Sequence, residues 1–101
     1  RADAALAWDS IDDPFVGEMR GLLLWRLGRE KEGAAELLRS FEAQGHLDNE
    51  SASLNLAMSC LPPRGNRLDV AETVVRQVLA MRPQHGLATR MLAEIERLKQ
   101  Q

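Results

Sequence analysis

No tyrosine occurs among the 101 residues, and aromatic side chains make up only 4% of the chain. A sheet platform that stacks nucleic-acid bases needs more aromatic surface than that. Cysteine is nearly missing too. Cys60 stands alone, so no disulfide can form within the chain. A lone thiol on an apolar helix is expected to be buried and inert. The 4 prolines and 7 glycines are too few for a disordered linker or a fibrous repeat. Charge of one sign is lacking as well, with 13 basic against 15 acidic side chains and a formal net charge of -2. That balance sets up no field that would draw the chain to a polyanion or an anionic membrane, and no nucleic-acid partner is expected. The longest apolar run, GLLLW, ends at Arg26, far short of the ~18 residues a membrane span needs, so no membrane insertion is expected.

What is present is 45% apolar content, rich in Ala and Leu and poor in β-branched residues, enough for one small core. Apolar residues recur with helical spacing, and no segment alternates with period two long enough for a strand. The expected class is all-α. Residues 2–11, with Ala5, Leu6, Trp8 and Ile11, read as a short helix or the end of a longer one. Asp12 or Asp13 can cap a helix over 14–27, with Pro14 in its first turn and Met19, Leu23 and Leu27 at i,i+4 spacing. Further helices are expected over 30–44, 50–61, 67–81 and 86–99. Gly45 offers a left-handed stop for the second of the five, and Asp48 or Asn49 a cap for the third. The pair Pro62-Pro63 ends that third helix.

Catalytic patterns are wanting. Neither glycine-rich phosphate loop is present, and His46 and His85 each lie beside a loop glycine rather than in a cluster with metal-ligand spacing. Both histidines are expected to have surface or capping roles. The pairs Asp12/Asp13 and Glu94/Glu96 are close only along the chain, and Ser53, Ser59 and Cys60 have no evident His partner. No enzyme activity, cofactor or metal is expected. Arg26, Arg29 and Lys31 interleave with Glu30 and Glu32, the pattern of a solvated face.

Small residues recur at even intervals in alternate helices: Gly21, Ala57 and Ala93, with Leu56 and Leu92 preceding the last two. In the intervening helices Gly33 is followed by Ala71. A small residue at each helix crossing, repeated every 34 to 38 residues, points to stacked helix pairs. The chain resembles the tetratricopeptide repeat family, most specifically over DVAETVVRQVLAMRP and at the pairs Leu56-Ala57 and Leu92-Ala93. In that resemblance Gly28 is the corner between two helices, Gly33 and Ala71 are the first small contacts of the second helices, and Pro83 closes a unit. Asn66 falls at the second corner after a two-residue insertion in LPPRGN, while Arg20 and Gly17 depart from the family pattern.

The resemblance implies a right-handed α-solenoid of antiparallel helix pairs forming a single domain over 1–101. Residues 1–13 would end a preceding repeat, 14–47 form the first full repeat, 50–83 the second, and 84–101 a partial or capping repeat. It also implies that the first helix of each pair lines a concave groove. By register that groove presents Leu22, Trp25 and Arg26, then Leu54, Asn55, Met58 and Leu61, then Arg90. Trp25 and Met58 are the expected anchors of a partner peptide or amphipathic helix, with Arg26 and Arg90 selecting its charge. Of the positions by which some members grip a chaperone's carboxylate tail, only Asn55 matches. The expected function is a non-enzymatic protein-interaction or scaffold module. The alternative is a self-assembly or oligomerisation segment of a larger protein. The start at Arg1 suggests a piece of a longer chain, cytoplasmic and periplasmic settings fit equally, and the Ala-, Leu- and Arg-rich usage suggests a bacterial source.

Overall fold

The structure, a computed structural model, describes residues 13–101. The expected helix at 2–11 and the capping role of Asp12 lie outside the described residues. Within them the chain is all-helical: α1 (Pro14–Arg26), α2 (Glu30–Gln44), α3 (Glu50–Ser59), α4 (Leu68–Met81) and α5 (Gly86–Lys99). No strand occurs among the described residues.

Local signals set the helix ends. The Asp13 carboxylate accepts the amides of Phe15 (2.8 Å) and Val16 (3.4 Å), with Pro14 opening the helix behind it. Asn49, rather than Asp48, caps α3 through the amide of Ala52 at 3.1 Å. His85 caps α5, its Nδ1 accepting the Ala88 amide at 3.2 Å, so the neutral ring carries its proton on Nε2, 3.1 Å from Glu50. Gly45 takes the left-handed conformation that ends α2. Gly28 does the same after α1, at φ +85° with nothing within 4 Å of where a Cβ would stand. Its amide and that of Arg29 fold back onto the carbonyls of Trp25 and Leu24, closing the corner between α1 and α2. The third helix stops at Ser59, before the expected end at 61, because Cys60 already caps it ahead of the two prolines.

Packing begins where α1 and α2 nearly touch. A Cβ on Gly33 would lie 2.7 Å from the Gly21 carbonyl oxygen and 2.8 Å from the Trp25 nitrogen. A Cβ on Gly21 would lie 2.9 Å from the Gly33 carbonyl oxygen and from Leu37 Cγ. Only glycine at both positions allows this approach. Ser40 donates to the Pro14 carbonyl at one end, and Arg20 binds Glu36 through Nε at 2.8 Å, so the two helices run antiparallel. The third and fourth helices are antiparallel too, since Arg67 donates to the Cys60 carbonyl near one end and Arg82 reaches Glu50 at the other. Lys99 joins α5 to α4 through Glu72 at 2.8 Å.

The core runs through all four later helices: Leu37, Leu56, Ala57, Ala71, Val74, Val75 and Ile95 are wholly enclosed. Each large member contributes about 1.5–3 kcal/mol of burial free energy. Cys60 is 5% exposed, as expected of a structural thiol.

Two sequence expectations shift. On α1 the regular stripe is turned largely outward, with Leu23 39% and Leu27 51% exposed and Met19 half-buried. The inward face instead carries Gly17, Arg20, Gly21 and Leu24, because the glycine contact selects the side that faces α2. Asn66 lies in the second corner, without a left-handed backbone. Gly65 makes the close approach there, since a Cβ on it would overlap the Ser59 carbonyl oxygen. Of the three evenly spaced small residues, Gly21 and Ala57 are buried but Ala93 is exposed among the described residues.

The glycines of α1 give opposite expected outcomes. Gly17→Ala raises stability by up to about 1 kcal/mol, glycine being the poorer helix former by that amount, since its Cβ would meet nothing nearer than 3.9 Å. Gly21→Ala lowers stability by about 1–3 kcal/mol through overpacking. Urea denaturation of the two variants checks both signs.

Candidate functional site

Among the described residues a cleft of about 550 Å³ opens between the two helix pairs. That is within the range of ligand-sized pockets. Its floor is apolar: Trp25 from the end of α1, Ala34 and Leu38 from α2, Leu56 and Cys60 from α3. Its rim carries Glu30, Lys31, Arg64 and Arg67.

Each wall follows from a local feature. On α2 the residues Glu30, Lys31, Ala34, Ala35 and Leu38 recur at i, i+4 and i+8 and form a face distinct from Gly33, Leu37 and Ser40, which turn to α1. The Gly28 corner directs α1 into α2 so that the half-buried Trp25 borders that face. The third wall is the corner 61–67. Arg64 and Gly65 donate to the Leu61 carbonyl at 3.0 Å, and Arg67 donates to the Cys60 carbonyl at 2.9 Å, wrapping the corner over the end of α3. A cis bond joins Pro62 to Pro63 within it.

The rim's electrostatics are lopsided. Arg64 Nε lies 3.5 Å from Glu30, with both side chains 46% exposed, and Arg67 reaches Asp69 at 3.2 Å. The Asp69 carboxylate, first through its hydrogen bond, raises the pKa of Arg67 further, and Arg67 in turn lowers that of Asp69. Lys31 makes no hydrogen bond or ion pair among the described residues. Desolvation pushes the Cys60 thiol above its ordinary value, which keeps it protonated and unreactive.

The residues expected to bind a partner are dispersed. Trp25 alone among the eight lines the cleft. Leu22 is 2% exposed and belongs to the interior, where it presents no surface to a partner. Leu54, Met58 and Leu61 are half-buried and pack against the core. They occupy the side of α3 roughly 180° around from Leu56, Ser59 and Cys60, at ~100° per residue. Asn55 is half-buried beside them, while Arg26 and Arg90 are exposed on α1 and α5 without a partner among the described residues. Sequence reading missed Leu38, Leu56, Arg64 and Arg67 as site residues and dismissed Lys31 as part of a mixed-charge face. A usable signal existed: Lys31, Ala34, Ala35 and Leu38 share one helix face that is not the one turned to α1.

A second hollow of about 390 Å³ lies by Leu47, Glu50, Ser53, Gln77, Val78 and Met81. No group of three or more His, Cys, Asp or Glu that could hold a metal ion occurs among the described residues. No described helix is long and apolar enough to cross a membrane. Compared with protein-family models, curated proteins and solved structures, the chain finds no match.

Labelling measures the enclosure of the floor. In native protein Cys60 is expected to react with a maleimide roughly a hundredfold or more slowly than in denaturant, since only an opening of the fold exposes it. Equal rates would mean that the thiol is not enclosed.

Proposed function

We propose that this chain is a non-enzymatic protein-interaction module, built as tetratricopeptide-like helix pairs stacked into a right-handed solenoid, that holds a segment of a partner protein. The reading is supported first by the spacing of contacts between successive units. Glu18 receives amides 30 and 31 residues on, Arg64 meets Glu30 34 residues back, Gln77 donates to the Gly45 carbonyl 32 residues back, and His85 meets Glu50 at a separation of 35. Such recurrence is what stacked units of about 34 residues produce, each burying its surface against the next.

The observation that carries the function is the cleft itself. Its apolar floor and charged rim are the makings of a partner site, with no chemical step required. The expected groove along α1, α3 and α5, with Met58 at its centre and Asn55, Arg26 and Arg90 around it, is the other surface available to the same module.

One observation favours the alternative of self-assembly. Phe15, Leu23 and Leu27 form an exposed apolar stripe along α1, the kind of surface that marks an association site.

Affinity capture from an extract of the producing cell tests the reading with three baits: the intact chain, Trp25→Ala and Met58→Ala, each first checked for helicity by circular dichroism. A partner lost on Trp25→Ala and kept on Met58→Ala assigns the cleft. The reverse assigns the groove. No partner, together with mass that grows with concentration in light scattering, contradicts the binding module and favours self-assembly.

A further inference from the structure

Resting on the interaction-module reading, we infer that the cleft between the helix pairs takes an acidic peptide segment, one that places aliphatic or aromatic side chains against Trp25, Ala35 and Leu38 and carboxylates against Lys31, Arg64 and Arg67. Charge complementarity chooses the occupant. Lys31, Arg64 and Arg67 stand there against Glu30 and the Asp69 that Arg67 holds, an excess of one cation, although the chain as a whole has a formal net charge of -2. That excess lies beside an apolar hollow, where a low-dielectric floor strengthens its attraction for anions.

The three cations are available to a ligand. Lys31 has no partner among the described residues, and it projects from an exposed position on the same face as the apolar Ala34 and Leu38. Arg64 and Arg67 hold their carboxylates at 3.5 Å and 3.2 Å in exposed pairs, which contribute little and are readily redirected. Arg64, held by a single Nε contact, can then grip a carboxylate through two parallel N–H donors, as Arg67 grips Asp69.

The floor specifies the remainder. Trp25 offers a rigid amphipathic surface of the kind that dominates interface energetics. Ala34 and Ala35 leave room beside it, and Leu56 with the neutral thiol of Cys60 keeps the base of the cleft dry. A polyanion such as single-stranded nucleic acid fits less well. It asks for several stacking rings and an unbroken line of cations, whereas this cleft has a single indole and Glu30 set into its rim.

A random-peptide phage library panned against the whole chain is the direct probe. Selected peptides are then measured by fluorescence anisotropy against three proteins: the intact chain, Trp25→Ala, and the double variant Lys31→Glu with Arg64→Glu. Enriched peptides are expected to combine Asp or Glu with Leu, Ile, Phe or Trp. Their affinity is expected to fall roughly 30-fold on Trp25→Ala and on the order of tenfold in the double variant, as exposed interfacial charges do when reversed. The salt dependence of binding should also shrink in the double variant. Both reversed residues are exposed, so that variant keeps the test decisive if Trp25→Ala fails to fold. Enriched peptides without acidic residues, or binding indifferent to the charge reversal, overturn the acidic-peptide inference while leaving the interaction module standing. A fluorescent single-stranded oligonucleotide bound by the intact chain and lost in the double variant also overturns it, in favour of nucleic acid. Failure to enrich any peptide overturns both readings.

Discussion

The Glu18 carboxylate joins the first helix pair to the second. It is wholly enclosed on α1, and its two oxygens accept the amides of Asp48 (3.0 Å) and Asn49 (2.6 Å) at the entrance to α3. Those amides precede the first turn of a helix, where backbone donors lack intrahelical partners and the helix dipole favours negative charge. One side chain thus satisfies two donors that would otherwise be buried at a cost, and it fixes where the second pair starts relative to the first. The cleft depends on that placement. Trp25 and the Lys31 face come from the first pair, while Leu56, Cys60 and the Arg64–Arg67 corner come from the second.

The same economy governs the α1–α2 contact. Backbone meets backbone at Gly21 and Gly33, and the short interhelical distance encloses Arg20 with Glu36 beside it. A buried ion pair of this sort is weak evidence for stability, because desolvation offsets much of the attraction. Its consequence is orientation: α1 must turn its glycine face inward and leave Phe15, Leu23 and Leu27 outside.

Helix limits are legible in the sequence because they rest on residues adjacent to them. Asp13 with Pro14, Gly28, Gly45 and Asn49 act through their own backbone or within three residues, so reading along the chain finds them. The inward face of α1 is not legible that way. Periodicity favours Met19, Leu23 and Leu27, and only the contact with a glycine twelve residues on reverses the preference. Glu18 reads as an ordinary surface acid until Asp48 and Asn49 are brought against it from 30 and 31 residues away. The cleft is hidden for the same reason. Trp25 is an evident anchor, but its neighbours Leu56 and Arg64 arrive from the next unit, and Lys31 looks like one more charge in an alternating run.

Native-state hydrogen exchange at the amides of Asp48 and Asn49 tests most directly whether the two helix pairs are one stacked unit. Amides at a helix entrance ordinarily exchange readily with water. Held by the buried Glu18 carboxylate, these two should exchange as slowly as amides in the middle of α3 and α4, and become fast in a Glu18→Ala variant. Rapid exchange at both positions in the intact chain would contradict the account, since the pairs would then be tethered by their connection alone and the cleft between them would have no fixed form.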